Sequence, residues 1–153
     1  SESKDWRRPA IKKLYKEYLC RWKVDLPSAI VWERDSYAEG VKSLPEEYRK
    51  KYFFGSECWP DLALLQPVRI AIELDHGDDG VAVRNALTKA SFNVVVGEWD
   101  WCYILFFDET KDGRLKEKSG KGKERDILAA YEVLFRTKVL FVRVDDKYKV
   151  IAG

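Results

Sequence analysis

The feature that most constrains this chain is a pair of short apolar runs joined through Gln66-Pro67. Residues 61–65 (DLALL) and 68–75 (VRIAIELD) have the composition of buried strands, and proline suits the tight connection between them. The pattern therefore predicts an antiparallel hairpin. Its register follows from the position of the connection, because a turn centred on one residue fixes which residues of the two strands stand opposite one another.

Three acidic side chains stand at the open end of this hairpin. A turn centred on Pro67 places Asp61 directly opposite Glu73, and directly opposed residues have Cβ atoms about 4.5–5.5 Å apart. Glu73 and Asp75 project from the same face, because side chains alternate along a strand. Three carboxylates this close repel one another unless a cation lies between them, and Mg²⁺ prefers such oxygen ligands. We interpret the trio as a divalent-cation site; solvated strand ends are the alternative.

The rest of the chain alternates between helical and strand-like patterns. Helices are predicted over 8–23, 44–53, 81–92 and 124–137, and strands over 28–34, 94–96, 101–107, 139–144 and 148–151. Whether 94–96 and 101–107 form one bulged strand or two stays open. The stretch 111–123 is rich in Gly and Lys and predicts a mobile loop. This order predicts a single α/β domain over 1–153, a mixed β-sheet flanked by helices.

The charges are distributed unevenly, although 28 Lys and Arg nearly balance 26 Asp and Glu. Basic residues concentrate in segments 1–24 and 111–125, which leaves the centre acidic. A basic rim around an acidic centre suits a polyanion held near bound metal ions, whereas a merely solvated surface is the alternative. The candidate nucleic-acid-binding residues are Lys12, Lys13, Lys16, Arg84, Lys116, Lys118, Lys121 and Lys123.

The remaining composition excludes several kinds of site. His76 is the one histidine and the three cysteines have no CxxC spacing, so a multi-histidine or thiolate zinc site is excluded and catalysis must rest on carboxylates and lysines. The cysteines are expected to be small buried side chains. No membrane span or signal-peptide pattern is present, which predicts a soluble protein of the reducing cytoplasm. One Gln, two Asn and no Met lean toward a thermophile composition.

Pro60-Asp61, eleven intervening residues and Glu73-Leu74-Asp75 resemble the motif of the PD-(D/E)xK nuclease superfamily. That family has the restriction-endonuclease-like fold, whose core order of helix, strand, acidic hairpin, helix and strand resembles the order predicted here over 8–107. The resemblance implies a Mg²⁺- or Mn²⁺-dependent nuclease that hydrolyses DNA, commonly as a homodimer. It implies Asp61 and Glu73 as metal ligands, and Glu17 as a further acid contributed by the first helix.

The chain departs from this motif at its third position, where Asp75 stands in place of the usual lysine. That lysine orients the attacking water and stabilises the charge that develops on the phosphate. Some members supply it from the following helix, and Lys89 is the candidate here; a plain surface lysine is the alternative. Asp75 would then bind a second cation or pair with Lys89. The implied catalytic set is Asp61, Glu73, Asp75 and Lys89.

Other interpretations compete with the enzyme. A nuclease fold that binds DNA without cleaving it would account for the substituted lysine, and a structural protein with fortuitous acids is the third possibility. His76 is expected to be structural or to contact phosphate. Glu98 and Asp100 are expected to be turn residues, with metal binding as the alternative, and Trp99 and Trp101 are expected to pack in the core rather than stack on bases.

Overall fold

The structure is a computed structural model that describes residues 30–32, 42–43, 46–48, 50–145 and 149–152. The helix predicted over 8–23 lies outside the described residues. The same is true of four predicted site residues: Lys12, Lys13, Lys16 and Glu17.

The described residues form a mixed α/β fold. Its strands are β1 Ile30–Trp32, β2 Lys42–Ser43, β3 Lys50–Tyr52, β4 Ser56–Cys58, β5 Leu62–Leu64, β6 Ile70–Gly77, β7 Trp101–Asp108, β8 Thr137–Val144 and β9 Val150–Ala152. Its α-helices are α1 Gly80–Val95, α2 Arg114–Ser119 and α3 Gly122–Phe135. Single 3₁₀ turns occupy Glu46–Tyr48 and Phe53–Gly55.

Seven of these strands make one mixed sheet in the order β2-β1-β5-β6-β7-β8-β9, and β3 and β4 form a separate hairpin. β5 and β6 are antiparallel, whereas β6, β7 and β8 are parallel neighbours. In the β5–β6 hairpin Leu62 stands opposite Ile72 and Leu64 opposite Ile70. The register predicted from the position of Pro67 is therefore confirmed.

The helix α1 connects two parallel strands by crossing over the sheet. It packs on β6 and β7, and α3 packs beside it, on α1 and on β8. At its start, the side chain of Asp79 accepts a hydrogen bond of 2.9 Å from the backbone N–H of Ala82 and so caps the first turn. The core between sheet and helix consists mainly of Ala63, Ala71, Cys102, Ile104, Phe106, Val83, Ala86, Leu87, Ala90 and Val94. This packing fixes which side chains of α1 reach β6.

Two predictions around the helices are wrong. Residues 94–96 are not a strand: α1 continues to Val95, because Val94 is buried in the core, and that burial overrides the strand propensity of the valines. Residues 111–123 are not one loop, since α2 forms within them and buries Leu115. The buried Asp108 holds this turn by accepting hydrogen bonds from the backbone N–H groups of Thr110, at 2.9 Å, and Lys116, at 3.2 Å.

The helix predicted over 44–53 is also wrong. After the 3₁₀ turn Glu46–Tyr48 the chain forms β3, which pairs with β4. The Tyr52 ring stacks on the Phe92 ring of α1 at a centroid distance of 4.7 Å. Pairing with β4 and packing against α1 are tertiary contacts, and they outweigh the local capping signal on which the helix prediction depended.

Of the other residues predicted to be buried, Trp101 is only partly buried, and Cys20 lies outside the described residues. Trp99 is fully buried, and Cys58 and Cys102 are buried free cysteines. None of the helices in the described ranges is both long and apolar enough to cross a membrane.

Candidate functional site

The two strands of the β5–β6 hairpin place the predicted acids at one end of the sheet face that α1 covers. Asp61 directly precedes β5, and in the observed register the next pair outward is Asp61 and Glu73. The Asp61 Oδ2 accepts a hydrogen bond of 2.8 Å from the backbone N–H of Leu74. The Asp61 carboxylate is thus held against the strand that carries Glu73 and Asp75.

Lys89 of α1 reaches this acidic end. Its Nζ lies 3.0 Å from the Glu73 Oε2, an ion pair in which the Glu73 side chain is fully buried and the Lys89 side chain is 50% exposed. The structure thereby brings together Glu73 and the lysine that the sequence nominated from the helix. The sequence had suggested Asp75 as the partner of Lys89; the structure pairs Lys89 with Glu73, and the Asp75 carboxylate also helps to raise the pKa of Lys89.

A residue that the sequence did not single out holds the other oxygen of Glu73. The Asn93 Nδ2 donates to the Glu73 Oε1 at 2.5 Å, and Asn93 is itself buried. Its Oδ1 accepts from the Cys58 Sγ at 2.7 Å. Asn93 escaped notice because the helix was predicted to end at Phe92, although Asn93 lies four residues after Lys89 and therefore on the same face of a continuous helix.

The electrostatics of the four charged residues are coupled. Burial and the nearby Asp61 carboxylate raise the pKa of Glu73, while Lys89 and Asn93 act in the opposite direction. Burial lowers the pKa of Lys89, but attraction to Glu73, Asp61 and Asp75 outweighs it, so the pKa of Lys89 is raised overall. The Glu73 Oε1 accepts a hydrogen bond from the Asn93 amide and the Lys89 Nζ lies 3.0 Å from the Oε2, two contacts that favour the carboxylate form. We therefore describe the pair as carboxylate and ammonium.

The donor chemistry of the acidic end fits a hard divalent cation. Carboxylate oxygens are what Mg²⁺ and Mn²⁺ prefer, and the strand register places Asp61 opposite Glu73. Within the described ranges, no three His, Cys, Asp or Glu side chains are already arranged as a metal-binding group. At this site it is the Lys89 ammonium that lies against Glu73.

The other predicted residues lie elsewhere. His76 Nδ1 is 2.7 Å from the Glu109 Oε1. The Asp100 Oδ2 accepts from the backbone N–H of Arg69 at 2.9 Å, the behaviour expected of a turn residue, and Glu98 is exposed in the left-handed region with φ 59°. The predicted basic residues of the described part are all exposed: Arg84, Lys116, Lys118, Lys121 and Lys123.

A cavity of about 300 Å³ opens beyond the carboxyl ends of β6 and β7. Of the predicted site residues, Lys118 lines it, together with Arg114, Asp78 and Asp79, whereas the predicted catalytic residues do not. The structure thus separates this cavity from the Glu73–Lys89 pair.

Comparison with known proteins does not identify the chain. No protein-family model, curated protein or solved structure matches it. The functional argument therefore depends on the geometry of the site and on the motif.

The two buried thiols near Asn93 provide a test of this geometry. Burial, aided by the Glu73 charge, raises the pKa of Cys58 from 9.0 to about 12 and also raises the pKa of Cys102. At pH 9 about one Cys58 thiol in a thousand is then ionised, against about half in an unfolded chain. We expect iodoacetamide to label both cysteines at least about 100-fold more slowly in the native protein than in guanidinium. Peptide mass mapping measures this directly, and equal rates would contradict the described packing.

The same shift predicts how stability changes in alkaline solution. Because the pKa of Cys58 is higher in the folded state, its contribution to stability is complete below pH 9.0 and is lost as the pH rises toward about 12. Over that interval the free energy of unfolding of wild type should fall by up to about 1.4 kcal/mol per pH unit more than that of Cys58→Ser, which has no thiol at position 58 to ionise. Urea unfolding at several pH values gives the slope of the free energy of unfolding against pH for each protein. Equal slopes would contradict a raised pKa of Cys58.

Proposed function

We propose that this chain is a metal-dependent nuclease that hydrolyses phosphodiester bonds in DNA, with a variant PD-(D/E)xK site. The observation that carries the proposal is the 3.0 Å contact between Lys89 and Glu73. The motif lacks its usual lysine at Asp75, and a lysine from the following helix lies at the acidic hairpin instead. Lys89 supplies the positive charge that a fully buried acid needs, at the position where the proposed chemistry needs a lysine.

The residues have distinct roles in this proposal. Asp61 and Glu73, with Asp75, would hold Mg²⁺ or Mn²⁺, which when bound supplies Lewis-acid stabilisation and a more acidic water. Lys89 donates hydrogen bonds to a phosphate oxygen and to the attacking water. The raised pKa of Lys89 keeps it protonated, so it acts as a positive donor rather than as a general base. Its half-exposed side chain is free to leave Glu73 and turn toward the substrate.

Two further features support a DNA substrate. The order β5, β6, α1, β7 resembles the hairpin, helix and strand of the restriction-endonuclease-like core, which we propose as the fold. The basic residues on α1, α2 and α3 are exposed, as contacts to a phosphate backbone require. A homodimer, which would allow both strands to be cut, is part of the proposal through the resemblance alone.

The test is a cleavage assay on supercoiled plasmid, single-stranded DNA and a four-way junction with Mg²⁺ or Mn²⁺. We expect cutting that EDTA stops and that Glu73→Gln reduces by at least about 100-fold, because the buried metal ligand loses its charge. Glu132→Gln is the matched control, since Glu132 forms a surface pair with Lys138 at 3.9 Å. That variant should cut like wild type.

The same assay decides between the enzyme and its main alternative. DNA binding that EDTA does not change, with no cutting of any substrate, would replace the enzyme by a DNA-binding protein. If the protein neither cuts DNA nor binds it in a salt-dependent manner, both the nuclease proposal and the DNA-binding alternative are refuted.

A further inference from the structure

We propose that Asn93 is a positioning residue that fixes the carboxylate of Glu73 relative to Lys89. Its effect on cleavage and metal binding rests on the proposed function, whereas its contact with Glu73 is measurable in the metal-free protein. Neither Asn93 nor the thiol that holds it belongs to the motif that identified the acids.

Asn93 and Lys89 together hold Glu73 from one face of α1. They are four residues apart, one helical turn, and each contacts a different oxygen: Lys89 Nζ lies 3.0 Å from Oε2 and Asn93 Nδ2 lies 2.5 Å from Oε1. Asn93 is 1% exposed and Glu73 is fully buried. The amide holds one oxygen and so restricts rotation of the carboxylate, and the Oε2 is the oxygen that faces the half-exposed lysine.

The orientation of the Asn93 amide is determined by its second contact. The Cys58 thiol lies 2.7 Å from the Oδ1 of Asn93, and a thiol can donate to an oxygen. A flipped amide would place its oxygen against the Glu73 carboxylate, so that one acceptor would face another. The hydrogen bonds therefore run in one direction, from the Cys58 thiol to the Asn93 oxygen and from the Asn93 NH₂ group to the Glu73 carboxylate.

This contact also ties the site to the small β3–β4 hairpin. Cys58 ends β4, and the stacked rings of Tyr52 and Phe92 attach β3 to the neighbouring position of α1. The hairpin thus holds the last turns of α1 against β6. Positioning of Glu73 is built from a strand, a helix and a hairpin, none of which depends on the proposed metal.

The decisive variants are Asn93→Leu, which keeps the approximate volume but cannot donate, and the pair Cys58→Ala and Cys58→Ser. Loss of such a supporting partner typically costs about 10- to 100-fold in metal affinity or activity, and we expect Mn²⁺ binding of Asn93→Leu to weaken by that factor. Cys58→Ala should weaken it less, and Cys58→Ser, which keeps a donor, should restore it. Asn85→Leu, at an exposed position of the same helix, is the control and should bind as wild type does.

Electron paramagnetic resonance gives the Mn²⁺ affinities, and the NMR of the side-chain amides gives an independent arm. In metal-free wild type the NH₂ group of Asn93 should exchange at least about 100-fold more slowly than that of exposed Asn85. Equal exchange would overturn the proposal. If Mn²⁺ binds wild type, Asn93→Leu and Cys58→Ala equally, positioning is refuted while the site stands. If wild type neither binds Mn²⁺ nor cuts DNA, the proposed function fails, and faster exchange of the Asn93 NH₂ group in Glu73→Leu than in wild type still decides whether Asn93 holds Glu73.

Discussion

We expect replacement of Lys89 with methionine to reduce the proposed metal-dependent DNA cleavage by about 100- to 1,000-fold, the usual loss when one donor to a developing negative charge is removed. Methionine keeps the unbranched aliphatic stem and removes the ammonium. Mn²⁺ binding should be at least as tight as in wild type, because the ammonium 3.0 Å from Glu73 repels a dication and competes with it for the same oxygen. The two measurements are the cleavage rate at saturating Mn²⁺ and the Mn²⁺ dissociation constant.

The chain offers a close control for this variant. Lys138 is 48% exposed and pairs with Glu132 at 3.9 Å, whereas Lys89 is 50% exposed and pairs with Glu73 at 3.0 Å. Lys138→Met removes the same charge from a similar degree of exposure and should leave cleavage unchanged. If Lys89→Met cuts DNA as fast as wild type, Lys89 is only a structural counter-ion of Glu73. If the variant loses Mn²⁺ binding as well as cleavage, Lys89 supports the metal site rather than the substrate.

The parts of the fold that local pattern determines were predictable from the sequence. The hairpin register followed from Pro67, and the helix after it followed from apolar spacing, because both depend on residues within a few positions of one another. The hairpin carries Asp61 and Glu73, and the helix that follows it carries Lys89. The acidic pair and its lysine were therefore nominated before the structure.

Tertiary contacts account for what the sequence did not reveal. The last turn of α1 is held by the burial of Val94, and β3 forms because β4 pairs with it. Asn93 lies in that last turn, and its partner Cys58 lies on β4. Asn93 and Cys58 therefore lie on the two elements that local propensity did not predict correctly. A continuous helical period from Lys89 would have been the one signal pointing to Asn93.

Glu73→Gln is expected to raise the free energy of unfolding in EDTA even though it should reduce the proposed cleavage by at least about 100-fold. Glu73 is fully buried, and burial together with Asp61 already opposes its charge. Glutamine keeps an acceptor for Asn93 and removes the buried anion, whose desolvation costs several kcal/mol that Lys89 offsets only in part, so we expect a gain of about 1 kcal/mol. Because Lys89 is half exposed and can turn into solvent, losing its partner leaves no buried cation behind.

The opposite truncation should have the opposite sign. Lys89→Met leaves the Glu73 anion buried beside Asp61 without its counter-ion, and breaking a buried pair in this way costs about 3–5 kcal/mol, reduced here to about 1–2 because water screens half of the lysine. Urea unfolding of both variants in EDTA, with Glu132→Gln as a near-neutral control, gives the order directly. If Glu73→Gln were the less stable of the two, the acid would be a structural anchor of the fold. The predicted order instead identifies an acid kept at the expense of stability, as a metal ligand would be.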